Sequence, residues 1–262
     1  LFFTTLSPSS YLLNYWTRNY FINGLTLLFG VSYELPGVFE GNPYAKAVNG
    51  SLWTMPYELR MYVTLAVAWA VLSLVPRVRS AVFPVLVVVA AFASGVGVVA
   101  ARFGLFAESH WMGFFFMFFS GAAFYVLRAR IPLSSGLFVG CLCALAAAAA
   151  MGHTAFFVVY KLSLAYVLFF VAYVPAGWIR HYNRFGDYSY GVYIYSFPVQ
   201  QSVAALLPGI SVLSMVLLSS VFTFVLAALS WHLLEKRVMG LKGHCVEGTH
   251  RLLPGWLLRT PR

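Results

Sequence analysis

Three stretches of this sequence carry side chains of the type and spacing that chemistry needs. The first is Asn49-Gly50-Ser51-Leu52-Trp53-Thr54-Met55-Pro56-Tyr57-Glu58-Leu59-Arg60-Met61-Tyr62, a turn, aromatics, a carboxylate and a guanidinium at the mouth of an apolar run. An ionisable group within a membrane span costs about 2.5–3.5 kcal/mol on insertion scales, so Glu58 and Arg60 need partners, water or a task. Glu58 and Tyr62 share a helical face one turn apart, whereas Arg60 points elsewhere. The bland alternative is an anchor, with Arg60 snorkelling outward and Glu58 set against a positive helix N-terminus.

The second stretch is Gly186-Asp187-Tyr188-Ser189-Tyr190-Gly191-Val192-Tyr193-Ile194-Tyr195-Ser196-Phe197-Pro198-Val199-Gln200-Gln201. Gly186 and Asp187 make a turn and N-cap, and Ser189, Tyr193 and Ser196 or Gln200 recur at helical spacing as a polar stripe. Such a stripe is either a wet path or interhelical hydrogen-bond glue, and Pro198 predicts a kink. The third stretch, Trp231-His232-Leu233-Leu234-Glu235-Lys236-Arg237, reads first as a membrane-surface anchor, although His232 and Glu235 could pair. Lys161, inside an apolar run, either snorkels to the interface or faces a polar cavity. No histidine forms a metal spacing with Cys or a carboxylate, so no metal and no resident cofactor are expected.

The elements that must hold these residues follow from composition. Of the 262 residues, 61% are hydrophobic and 9% charged, and the mean hydropathy is +0.81, values of a polytopic membrane protein. The expected fold class is all-α, a transmembrane helical bundle with about seven spans. These are Pro56 to Val75, Ala81 to Ala101, Trp111 to Leu127, Leu133 to Gly152, Ala155 to Ala176, Tyr188 to Leu207 and Ser211 to Leu234. Residues 1–55 form an aromatic-rich loop, with a short interfacial helix near Tyr11 to Phe29; residues 56–235 form the bundle and 236–262 a basic tail. The loop's aromatics read as an interfacial belt, or more sharply as a sugar-stacking surface.

Charge alternates between connections. Arg77, Arg79, Arg128, Arg130, Arg180, Arg184, Lys236, Arg237 and Lys242 lie on one side, which the positive-inside rule makes cytoplasmic. The loop is then extracytoplasmic and the C-terminus cytoplasmic. The net charge of +10 becomes a topology signal, which argues against a nucleic-acid partner. Cys141 and Cys143 lie in an apolar run and Cys245 in the tail, so no disulfide framework is implied. Gly95-Val96-Gly97 lacks the setting of a nucleotide site, and Gly136 with Gly140 suggests a helix contact. The opening on Leu1 and an odd number of spans lead us to expect an N-terminal truncation.

In that order, Asn49 to Tyr62, Gly186 to Gln201 and Ser230 to Glu235 resemble the signature segments of the acyltransferase-3 family of bacterial membrane O-acyltransferases. Leu35-Pro36-Gly37-Val38-Phe39-Glu40 and Asn42-Pro43 look like the pieces that precede the first motif in its sugar-modifying members. The resemblance implies about ten spans in a complete chain. It implies an enzyme of the inner membrane that moves an acyl group, usually acetyl, from cytoplasmic acyl-CoA to a hydroxyl of a surface polysaccharide such as lipopolysaccharide. Glu58 falls on the motif carboxylate, and Trp53, Tyr57 and Tyr190 on motif aromatics; Ser196 stands where many members have a histidine. The family's catalytic histidine lies on a first helix, eleven residues after a basic residue, and none of the six histidines here has that partner.

The sequence therefore predicts an O-acyltransferase that draws its base from outside these residues. Glu58 is the catalytic candidate, and Asn49, Ser51, Trp53, Tyr57, Arg60, Ser189, Tyr190, Tyr193 and Gln200 are the candidates for substrate binding. Arg128, Arg130, Arg180 and Arg184 are the candidates for acyl-CoA phosphates. The expected partners are the bilayer, acyl-CoA and a glycan acceptor, with self-association left open. The competing reading is a transporter or flippase for a glycan or lipid-linked intermediate, with Glu58, Lys161 and Gln200 as its polar path.

Overall fold

The computed structural model describes residues 2–27, 30–177 and 186–252. Within them the chain is all α, and its β pairing is limited to isolated bridges between Thr4 and Val38 and between Glu34 and Ala47. The loop carries two short helices rather than one, α1 (Pro8–Leu12) and α2 (Tyr15–Thr26). The break between them is chemical. The Asn14 side chain accepts from Trp16 N at 2.9 Å and so starts a new helix.

Seven helices then fall on the seven expected apolar stretches. They are α3 (Met55–Ser73), α4 (Pro76–Arg102), α5 (His110–Val126), α6 (Ser135–Met151), α7 (His153–Tyr173), α8 (Ser189–Leu206) and α9 (Val212–Ser230). A π-helical turn, Trp231–Glu235, leads α9 into α10 (Lys236–Leu252), so the start of the basic tail continues the helix. Among the described residues, three stretches are long and apolar enough to cross a membrane: Arg77–Arg102, His153–Tyr173 and Val212–Gly243. His110–Val126 and Ser135–Met151 are shorter apolar helices. The large apolar side chains Phe92, Val212 and Phe224 are exposed at 73%, 82% and 58%, as a membrane bundle requires. Helix α4 begins five residues before the expected Ala81, because Pro76 at its first turn is preset for helix.

The described chain divides into two compact units, one of residues 2–27, 30–60 and 186–252 and one of residues 61–177. In the first, Tyr11, Val38 and Phe39 form a small core beneath the loop, against which Phe3, Leu35 and Ala205 of α8 pack. Gly191 sets the approach of α8 to α9: a Cβ there would lie 2.7 Å from Ala227 Cα, so only glycine allows this contact.

In the second unit, Val87 and Ala91 of α4 pack on Phe119 and Ala123 of α5. Gly95 and Gly97 make room for α5, since Cβ atoms there would come within 2.8 Å of Phe116 and 2.7 Å of Met112. These glycines are packing positions. Gly136 and Gly140, expected to mark a helix contact, have nothing within 4 Å of an added Cβ. Helices α6 and α7 meet instead through stacked Phe138 and Phe170, 4.3 Å apart. Arg79, which sequence places among the solvated loop charges, is 6% exposed, bonded to Ser73 Oγ at 3.1 Å and stacked over Trp69. It ties the first turn of α4 to the end of α3.

Candidate functional site

The first unit is organised by the contact between the Asn49 turn and α8. Pro198 has no N–H, so the carbonyl of Ile194, four residues earlier, loses its helical donor. Asn49 replaces it. Its Nδ2 donates to Ile194 O at 3.0 Å, while its Oδ1 accepts from Ser51 N at 3.2 Å and caps the 3-10 turn Gly50–Thr54. The side chain is 5% exposed. Gly50 must stay small, because a Cβ there would lie 2.8 Å from Phe197.

Tyr193 closes the same contact. Its hydroxyl donates to the Ser51 carbonyl and lies 2.6 Å from Thr54 Oγ1; its one proton is committed, so Thr54 is the donor to it. Further along α8, Gln201 forms a second clamp. Its Nε2 donates to Tyr44 O at 2.7 Å and Ala47 O at 2.6 Å, and its Oε1 accepts from Asn42 Nδ2 at 3.0 Å. Asn42 also donates to the Gln201 carbonyl at 2.8 Å. Gln201 is 6% exposed, with both Nε2 hydrogens donated and its Oε1 accepting a bond.

This double clamp fixes the polypeptide that enters α3 and leaves several of the candidate side chains outward. Trp53 and Tyr57 stand edge to face, ring centres 6.1 Å apart, with Trp53 38% exposed. Glu58 is exposed one turn after Thr54, and Arg60 is exposed beyond it. Tyr190 is 52% exposed, with both Glu58 and Glu235 within electrostatic reach of its hydroxyl. The arrangement is an aromatic pair beside a carboxylate and a phenol, all on a rigid support. It can stack on a sugar ring and hold a hydroxyl by hydrogen bonds.

Other candidates are placed differently. Ser189 is bound to Asp187, which accepts from its N at 3.2 Å and its Oγ at 2.5 Å at the start of α8. Gln200 is exposed, whereas its neighbour Gln201 is the buried clamp. His232 and Glu235 do not pair with each other: His232 Nε2 lies 3.2 Å from Tyr188 OH, and Glu235 accepts from Ser230 Oγ at 2.7 Å. In the second unit, the Arg128 guanidinium lies over the Tyr125 ring and donates to Tyr125 O at 2.9 Å; Arg130 is exposed nearby. Arg180 and Arg184 lie outside the described residues.

The loop of the first unit also holds a cavity of about 640 Å³ lined by Asn14, Trp16, Tyr33, Glu34, Glu40 and Lys46. Burial pushes the Tyr33 phenol above its ordinary pKa, with Tyr57 and Tyr44 adding to the effect, so it remains a neutral donor there. Aromatic faces with carboxylates and an amide are the lining a glycan uses.

The chain is similar to the O-acetyl transferase of Shigella phage Sf6. Identity is 33% over 202 residues, covering 73% of this chain and 57% of the phage protein. The chain thus spans a little more than half of that relative's length. No family model matches, and neither does any solved structure.

Sequence reasoning missed Gln201, Asn42 and Thr54. The signal the sequence did carry, a lone amide at Asn49 and a donor missing at Pro198, points to the Asn49 to Ile194 bond and not to these three.

Proposed function

We propose that this chain is the acceptor-binding part of a membrane O-acyltransferase, moving an acetyl group from acyl-CoA to a glycan hydroxyl. The similarity to a phage O-acetyl transferase carries this reading. The site geometry supports it: Trp53 and Tyr57 stack on the sugar, and Glu58 accepts a hydrogen bond that orients the reacting hydroxyl. In the reaction, a base removes the hydroxyl proton, the oxygen attacks the thioester carbonyl, and the CoA thiolate leaves and is reprotonated. In this reading that base is a histidine outside these residues. Arg128 and Arg130, with Arg180 and Arg184, attract the CoA phosphates on the cytoplasmic face of a bacterial inner membrane. The aromatic loop works on the opposite face, and its cavity holds neighbouring residues of the glycan.

The test uses membranes containing the source protein, acetyl-CoA labelled in the acetyl group, and surface glycan from the same cells. Wild-type membranes label the glycan, and Glu58→Gln lowers labelling by about a hundredfold at unchanged protein level. Full labelling by Glu58→Gln removes that carboxylate from the reaction, and unlabelled glycan with wild-type membranes refutes acyl transfer.

A further inference from the structure

Lys161, a charge within an apolar helix, has no part in the acyl-transfer reading, and it lies where two cavities of the second unit meet. One, of about 340 Å³, is polar at its mouth and lined by Glu108, Ser109, His110, Met112, Phe157 and Lys161. The other, of about 650 Å³, is an apolar groove bounded by Val88, Phe92, Val99, Phe103, Leu127 and the same Lys161. From Val88 to Phe103 the groove runs about 22 Å at 1.5 Å per residue, longer than the roughly 15 Å of one hydrocarbon leaflet.

The charges around Lys161 do not balance. Behind the lining residues Glu108 and Phe157, Arg102 Nη1 lies 3.7 Å from Glu108, and its guanidinium packs over Phe157 at 5.4 Å. Arg102 Nε is buried without a hydrogen-bond partner among the described residues. Lys161 Nζ lies over the same Phe157 ring, 5.6 Å from its centre. One carboxylate thus faces two cations, with His110 as the remaining titratable group on the wall. Lys161 sits eight residues into α7, about 12 Å from its start, and its side chain leans back toward that start and the polar mouth.

We propose that this double cavity binds an anionic phospholipid, its headgroup phosphate on Lys161 beside the Arg102 and Glu108 pair and one acyl chain along the α4, α5 and α7 groove. A soluble anion leaves the groove unfilled, and a zwitterionic lipid leaves the excess positive charge uncompensated. A lipid with a net negative headgroup satisfies both halves at once.

The experiment is native mass spectrometry of the whole chain extracted from bilayers of equal parts phosphatidylglycerol and phosphatidylcholine with identical acyl chains. Wild type retains phosphatidylglycerol in preference. Lys161→Met lowers that preference by roughly fivefold, the effect of one basic residue near an anionic headgroup. Lys161→Arg keeps the preference, and Glu108→Gln raises it by freeing Arg102. Inorganic phosphate in millimolar excess displaces no lipid. Equal retention of the two lipids by wild type, an unchanged preference in Lys161→Met, or displacement by phosphate overturns the assignment. Where Lys161→Met fails to fold, a Glu108→Gln variant with unchanged preference does the same.

Discussion

The pairing of Asn49 with the carbonyl freed by Pro198 makes a prediction about coupling rather than about either residue alone. Asn49→Ala removes two bonds. Loss of the cap on Ser51 N costs about 1 kcal/mol, and the orphaned Ile194 carbonyl about 1–3 kcal/mol more, giving about 2–4 kcal/mol in all. Asn49→Asp keeps an oxygen for the cap but sets a second acceptor against Ile194 O, so it loses the larger part. Pro198→Ala restores an N–H four residues after Ile194 and returns the carbonyl to the helix. In that background Asn49→Ala costs only the cap, about 1 kcal/mol.

The expected interaction energy is therefore about 1–3 kcal/mol, toward the lower end because hydrogen bonds within membrane bundles are weak. The assay is unfolding of the purified chain in mixed micelles titrated with dodecyl sulfate and followed by tryptophan fluorescence, for wild type, both single variants and the double variant. Additivity within about 0.5 kcal/mol refutes the argument, because independent sites behave that way.

Further outcomes rest on other contacts. Gly191→Val places a branched side chain against the Ala227 backbone, which cannot yield, and destabilises the α8 and α9 pair by at least about 2 kcal/mol in the same titration. Tyr193→Phe leaves the Ser51 carbonyl and Thr54 hydroxyl without their partner. It costs about 1–2 kcal/mol and, by loosening the turn that carries Trp53, raises KM for the glycan more than it lowers kcat in the labelling assay.

Much of this architecture was legible in the sequence because a membrane imposes length and apolarity on every span. The seven helices needed only that rule, with α4 starting early at Pro76, whereas in the loop the cap at Asn14 split one expected helix into two. The site was legible as a region but not by residue. A polar stripe read at three and four residue spacing selects Gln200, whereas the buried amide is Gln201, since the face of α8 is set by what packs against it. Arg79 was read as a topology charge, and nothing in its neighbours announced Ser73 and Trp69 as partners. Gly136 and Gly140 show the reverse failure, a familiar spacing with no helix against it.

The clamp on the Asn49 turn also has a consequence for biosynthesis. Its acceptor, the Ile194 carbonyl, lies 145 residues further along the chain. A ribosome adding about 5–20 residues per second needs about 7–30 s to make that intervening stretch. Throughout that interval the aromatic loop has emerged while the helix that fastens it does not yet exist. The loop is therefore open to proteases and chaperones for longer than any other part of its unit, and its capture by α8 is a late event in assembly.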